Sequence, residues 1–145
     1  MNKYAEGVEK VLRDNYRKVE NAIVFAEFFG PHSFAGKHDA TFLGVDSNDP
    51  KDVVLFDVNI HKRGFVPPRT FLEQFGHLHV PSVIYEGPFT EEFVQDVRNG
   101  KYPVVEGVVA KGGEKHDLWL MKVKTLSYLQ RLRDVFGTGW EQYGE

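Results

Sequence analysis

Apolar residues at Tyr4, Val8, Val11, Leu12, Tyr16 and Val19 recur at steps of three and four, the spacing that gathers them into one stripe of a helix. Lysines, arginines and acids fill the other positions, so a helix with one buried face is predicted from Tyr4 to Val19. Ala22 to Phe29 is apolar or aromatic except at Glu27, which suits a short strand buried on at least one side and ended by Gly30 and Pro31. A polar loop from His32 to Asp39 leads to a strand at Ala40 to Val45 and a surface turn at Asp46 to Lys51. Val53 to Ile60 is rich in β-branched residues and is predicted as a further strand.

Pro67 and Pro68 introduce a short helix over Arg69 to Phe75, where Phe71, Leu72 and Phe75 share a face and Gly76 is the stop. Val80 to Tyr85 has the pattern of a strand. Thr90 caps a helix running to Arg98, before Asn99 and Gly100. The run Val104 to Ala110 turns at Lys111, Gly112 and Gly113 and returns over His116 to Lys124 as a hairpin. Ser127 starts a last helix in which Tyr128, Leu129, Leu132, Val135 and Phe136 repeat at helical spacing, with Gly137 as its end. There is no internal repeat, low-complexity tract or linker, so residues 1–145 are expected to form a single domain around one sheet-based core. The predicted fold class is α+β, a mainly antiparallel sheet with packed helices.

A chain of 145 residues with 41% hydrophobic and 27% charged residues can bury a core under a solvated surface and is not a disordered chain. Eighteen basic against 21 acidic side chains give a net charge of −3, so no global positive field draws in nucleic acid, although a local basic groove remains allowed. The absence of cysteine removes disulfides, thiolate nucleophiles and sulfur-ligated zinc, and fits a reducing compartment. No apolar run approaches the roughly 20 residues of a spanning helix, and the N-terminus lacks the apolar stretch of a secretion signal. A soluble, cytoplasmic protein with no membrane partner is expected.

Three places could carry chemistry. Glu27 lies among apolar neighbours, where a carboxylate needs hydrogen bonds, a cation or a ligand hydroxyl; it is either a site residue or a glutamate on the wet face of an edge strand. Asp57 has the same two readings, with strict alternation placing Phe56 and Val58 on one strand face and Leu55 and Asp57 on the other. In the hairpin, Lys122 and Lys124 share a face, while Trp119, Met121 and Val123 form the apolar face. With Glu106 across the hairpin, that face can hold a divalent cation beside two phosphate-binding ammonium groups or be an ordinary solvent-facing charge ladder. Of the six histidines, His77 and His79 could share a strand face but lack a third ligand, while His32, His38, His61 and His116 add no metal pattern. Ser33 near His32 and His38 has no glycine-flanked elbow, and no glycine-rich phosphate loop is present.

Taken in order, these segments resemble the ATP-dependent RNA ligase branch of the covalent nucleotidyltransferases. Phe25-Ala26-Glu27-Phe28-Phe29-Gly30 looks like the family's third motif, Val54-Leu55-Phe56-Asp57-Val58 like the strand motif that follows, Glu106-Gly107-Val108-Val109-Ala110-Lys111 like the fourth, and Met121-Lys122-Val123-Lys124 like the fifth. The resemblance implies that Glu27 contacts a nucleotide ribose, Phe56 stacks on adenine, Asp57 supports the pocket, Glu106 is linked to metal, and Lys122 and Lys124 bind phosphate, with ATP and Mg²⁺ as cofactors and RNA or another polynucleotide as partner. It also implies part of a nucleotidyltransferase adenylation domain with the ATP-grasp-like ligase architecture.

The family's nucleophilic Lys-x-Asp/Glu-Gly motif has no counterpart: Lys18-Val19-Glu20-Asn21 replaces the glycine with asparagine and lies too close to Glu27. The resemblance thus covers the downstream part of an adenylation domain, and without a covalent acceptor the isolated chain is expected not to self-adenylate. Three functions follow as expectations: an RNA ligase-like fragment that joins RNA 5′-phosphate and 3′-hydroxyl ends only when a lysine-bearing N-terminal half is supplied, a non-catalytic nucleotide- or nucleic-acid-binding or interaction domain, and a DNA ligase fragment. Loss of upstream strands would leave an edge available for a partner or for self-association.

Overall fold

The computed structural model describes residues 2–29, 52–114 and 117–143. The expected strand at Ala40 to Val45, the turn at Asp46 to Lys51, and Ser33, His32, His38 and His116 lie outside the described residues. The opening helix α1 spans Asn2–Asn15 and buries Val8 and Val11, with Tyr4, Leu12, Tyr16 and Val19 packed beside them. It stops short of the predicted Val19, and Tyr16 and Val19 continue in a hydrogen-bonded turn, Val19 N donating to Tyr16 O at 2.9 Å. Strands β1, Ala22–Phe29, and β2, Asp52–Ile60, pair antiparallel, and β2 pairs on its other side with the two-residue β3, Gly64–Phe65.

The β1–β2 register slips by one between Phe25 and Ala26: Phe25 faces Asp57 and Ala26 faces Leu55, leaving Phe56 without a partner. This β-bulge corrects the alternation read from the sequence. One extra residue reverses the face of everything beyond it, so Leu55 and Val58, three apart, are both fully buried while Asp57 is turned away from them. Helix α2, Pro68–Phe75, opens on Pro68 and contributes Phe71 and Phe75 to the same cluster, with their rings stacked at 5.4 Å.

Val80 to Tyr85 is not a strand. Pro81 has no N–H to give a ladder, and the segment runs irregularly past β2, tied by the bond from Leu55 N to His79 O at 3.0 Å. Helix α3, Glu91–Arg98, is capped by Thr90, whose hydroxyl accepts from Phe93 N, and ends before Asn99 and Gly100. The hairpin is present as β4, Gly107–Gly112, and β5, Trp119–Lys124, a separate two-stranded ribbon.

The final helix, α4, spans Leu126–Phe136 and ends at Gly137, whose φ of 60° suits glycine. Its cap is Thr125, not Ser127: the 1% exposed Thr125 hydroxyl accepts from Tyr128 N at 3.2 Å and reaches Val105 O at 2.8 Å. A short 3₁₀ turn, Trp140–Tyr143, follows. The expected single core divides into two apolar clusters. One joins α1, β2 and α2; the other joins Phe93 and Val97 of α3 to Val123 of β5. The whole is a mixed α+β arrangement of antiparallel sheets and packed helices, and no described helix is long and apolar enough to cross a membrane.

Candidate functional site

In the ribbon, Gly107 faces Lys124, Val109 faces Lys122 and Lys111 faces Leu120. Directly opposed residues lie on one side of a sheet, so three lysines share a face with Val109 and Leu120. The other face carries Val108 and Val123, which pack on α3, together with Met121 and Trp119. Trp119 meets Phe89 at 5.3 Å between ring centres. Contrary to the expected apolar core surface, Trp119 and Met121 remain 41% and 49% exposed, since α3 covers only the Val123 end of the strand.

Glu106 precedes β4 instead of lying within it. Gly107 has a φ of 155°, and a Cβ there would lie 2.1 Å from Val123 O, so the chain can approach β5 this closely only with glycine. Thr125 N closes the ladder onto Glu106 O at 2.9 Å. The Glu106 carboxylate accepts a hydrogen bond from Lys124 Nζ, and that ammonium also lies 5.1 Å from the centre of the Tyr128 ring. Lys122 is exposed and has no ion pair among the described residues. The two ammonium groups of β5 therefore have different surroundings: one neutralised, one in water.

Lys111 links the ribbon to the larger sheet. Its ammonium donates to Phe56 O at 2.5 Å and meets Asp57 Oδ2 at 2.9 Å, with the Phe56 and Phe71 ring centres 5.8 and 5.9 Å away. The bulge makes this possible, because a carbonyl at an unpaired position is open to a side-chain donor. Sequence reasoning placed Asp57 in a pocket and read Lys111 as the end of a motif and the start of a turn. The available signal was a lone lysine following Val108-Val109-Ala110, a position at which a charge entering apolar surroundings requires a partner.

Glu27 sits opposite Val54 on β1, exposed, and its carboxylate makes no hydrogen bond or ion pair to another described residue. The structure thus joins Glu106 to Lys124 and Asp57 to Lys111; among the described residues no hydrogen bond or ion pair joins Glu27 to either pair, and the ammonium beside the Phe56 ring is that of Lys111, not Lys122 or Lys124. His77 and His79 lie in the turn following α2, not on a strand, and His61 begins the turn between β2 and β3.

A second concave place lies where α1 ends and β1 begins. It has a volume of about 450 Å³, with Leu12, Tyr16 and Val19 among its apolar lining and Glu9, Arg13, Arg17, Glu20 and Asn21 among its polar lining. Tyr16 donates to Gln74 Oε1 at 2.6 Å, and the Arg63 guanidinium lies 5.8 Å from its ring centre. Burial pushes the Tyr16 phenol above its ordinary value of 10.0, against smaller opposing effects of Gln74 and Arg63.

Among the described residues no group of three or more histidine, aspartate and glutamate side chains can hold a metal ion. This corrects the expected Mg²⁺ and ATP. The proposed metal carboxylate, Glu106, is taken up by Lys124, and among the described residues no second carboxylate stands with it to complete a hard-cation site. Compared with family models, curated proteins and solved structures, the chain matches none. With neither a relative nor a metal-binding group behind it, the description of the chain as an RNA ligase, ATP-binding, nucleotide-binding, magnesium-dependent nucleotidyltransferase or adenylation-domain fragment is withdrawn.

Proposed function

We propose that the chain is a non-catalytic interaction domain that pairs with a second copy of itself along the outer edge of β5. The observation that carries this reading is the exposure of that strand. β5 has β4 as its one strand neighbour among the described residues, while Trp119, Leu120 and Met121 are 41 to 54% exposed and no aspartate or proline interrupts Trp119 to Lys124. Edge strands left open in this way are templates for strand addition.

The sequence of β5 favours one symmetric register. An antiparallel pair centred on Met121 sets Met121 against its copy, Trp119 against Val123 and Leu120 against Lys122, so apolar side chains continue across the junction and no two lysines oppose each other. Centring on Lys122 would oppose like charges. Lys124 causes no repulsion because Glu106 neutralises it.

Sedimentation equilibrium across a hundredfold range of concentration tests the proposal. The expected result is a monomer–dimer equilibrium that Met121→Lys abolishes, since that change places like charges together on the two-fold axis. A strict monomer at every concentration refutes it.

A further inference from the structure

We infer that the loop end of the larger sheet binds the phosphate backbone of a single-stranded polynucleotide. Two turns meet there. One, residues 16–21, connects α1 to β1; the other, His61 to Arg63, connects β2 to β3, and His61 N donates to Asn21 O at 3.1 Å across the gap between them. Arg17 and Lys18 project from the first turn and Lys62 and Arg63 from the second, all four exposed. None has an ion pair among the described residues, whereas Arg13 nearby is already bonded to Glu9.

The charge at this end opposes that of the chain as a whole. A protein with a net charge of −3 gathers on two adjoining turns four cations that have no carboxylate partner among the described residues, Arg63 also lying over the Tyr16 ring, with Glu20 the one acid of those turns. Such concentration produces a local positive field that survives the unfavourable total. Backbone geometry fixes part of it: Lys62 has a φ of 63°, an unusual conformation for a lysine that the tight turn imposes, with Arg63 N bonded to Ile60 O at 2.9 Å.

The adjoining hollow of about 450 Å³ decides the ligand class. Its apolar lining of Leu12, Tyr16 and Val19 beside the Asn21 amide offers an unstacked base a place to lie; of the two carboxylates that also line it, Glu9 is bonded to Arg13 and Glu20 stands among the rim cations, while Arg17 belongs to both the hollow and the basic rim. A flat, anionic lipid surface would leave that concavity unused, and a base held within a duplex cannot enter it. The inference does not depend on strand pairing, since these turns belong to a different sheet from β5; a monomer would bind equally well.

Fluorescence anisotropy with a labelled 12-nucleotide single strand, titrated between 50 and 200 mM salt, tests the inference. Four phosphate contacts predict a slope of log K against log salt of about −3, at about −0.7 per contact. The double substitution Arg17→Gln with Lys62→Gln removes two contacts, so the slope should fall to about −1.4 and affinity at 50 mM salt by roughly tenfold or more. Arg131→Gln, exposed on α4, should leave both unchanged. An abasic strand of the same length should bind more weakly than the normal one.

Both substituted residues are exposed, and the salt slope of the unaltered chain stands as a separate measurement should the variant fail to fold. Absence of binding at 50 mM salt, binding that Arg131→Gln weakens as much as the double substitution, equal binding of the abasic strand, or tighter binding to phosphatidylserine vesicles than to the strand would each overturn the inference.

Discussion

Replacing Lys111 with methionine should loosen the attachment of the ribbon to the rest of the fold. The change keeps most of the apolar stem against the Phe56 and Phe71 rings and removes the charge that holds Asp57 and Phe56 O. The side chains of this pair are only 22% and 17% exposed. Exposed pairs are worth at most about 1 kcal/mol, while breaking a fully buried one costs about 3–5 kcal/mol. An intermediate cost of about 2–3 kcal/mol is therefore expected for Lys111→Met, much of it from the stranded Asp57 carboxylate.

A double-mutant cycle with Asp57→Asn isolates the pair. Urea denaturation of the four proteins, followed by tryptophan emission and far-UV circular dichroism, should give a coupling energy of about 1–2 kcal/mol. The two tryptophans, Trp119 and Trp140, both lie in the part of the chain beyond α3, so emission reports the ribbon end. In Lys111→Met its midpoint should fall below that of circular dichroism. A coupling below about 0.5 kcal/mol, within ordinary non-additivity, together with coincident midpoints would refute the claim that this contact joins the two clusters.

Other consequences follow from single residues. Thr125→Ala removes a buried cap and the bond to Val105 O, which should cost about 2 kcal/mol in urea denaturation, whereas Thr125→Ser should recover most of it. Gly107→Ala drives a methyl group into Val123 O and should cost about 3 kcal/mol or more, seen as loss of the ribbon's tryptophan signature. Because burial raises the Tyr16 phenol above 10.0, the folded state keeps its proton longer than the unfolded chain. Stability should therefore fall as pH rises from about 10 through the folded value, and Tyr16→Phe should flatten that alkaline loss while costing about 1 kcal/mol at neutral pH for the lost Gln74 bond.

Local periodicity made much of the fold legible. The stripe Tyr4, Val8, Val11, Leu12, the β-branched run of β2, the Thr90 cap and the hairpin at Gly112 and Gly113 each encode their element within a few residues. What escaped detection depends on contacts distant in sequence. Nothing near Phe56 marks the bulge, which arises from pairing with Phe25 and Ala26 some 30 residues earlier. Val80 to Tyr85 has strand composition, yet Pro81 and the absence of a paired neighbour among the described residues leave it irregular. At the candidate site, the shared face of Lys122 and Lys124 follows from alternation alone. Their different fates do not, because Glu106 reaches Lys124 only through the unusual backbone of Gly107.

The open edge of β5 bears most directly on the proposed function, and sedimentation equilibrium of the unaltered chain beside Met121→Lys measures its consequence. Mass that increases with concentration for the first and stays at one chain for the second is the predicted result. One chain at all concentrations for both, or equal dimerisation of both, would contradict it.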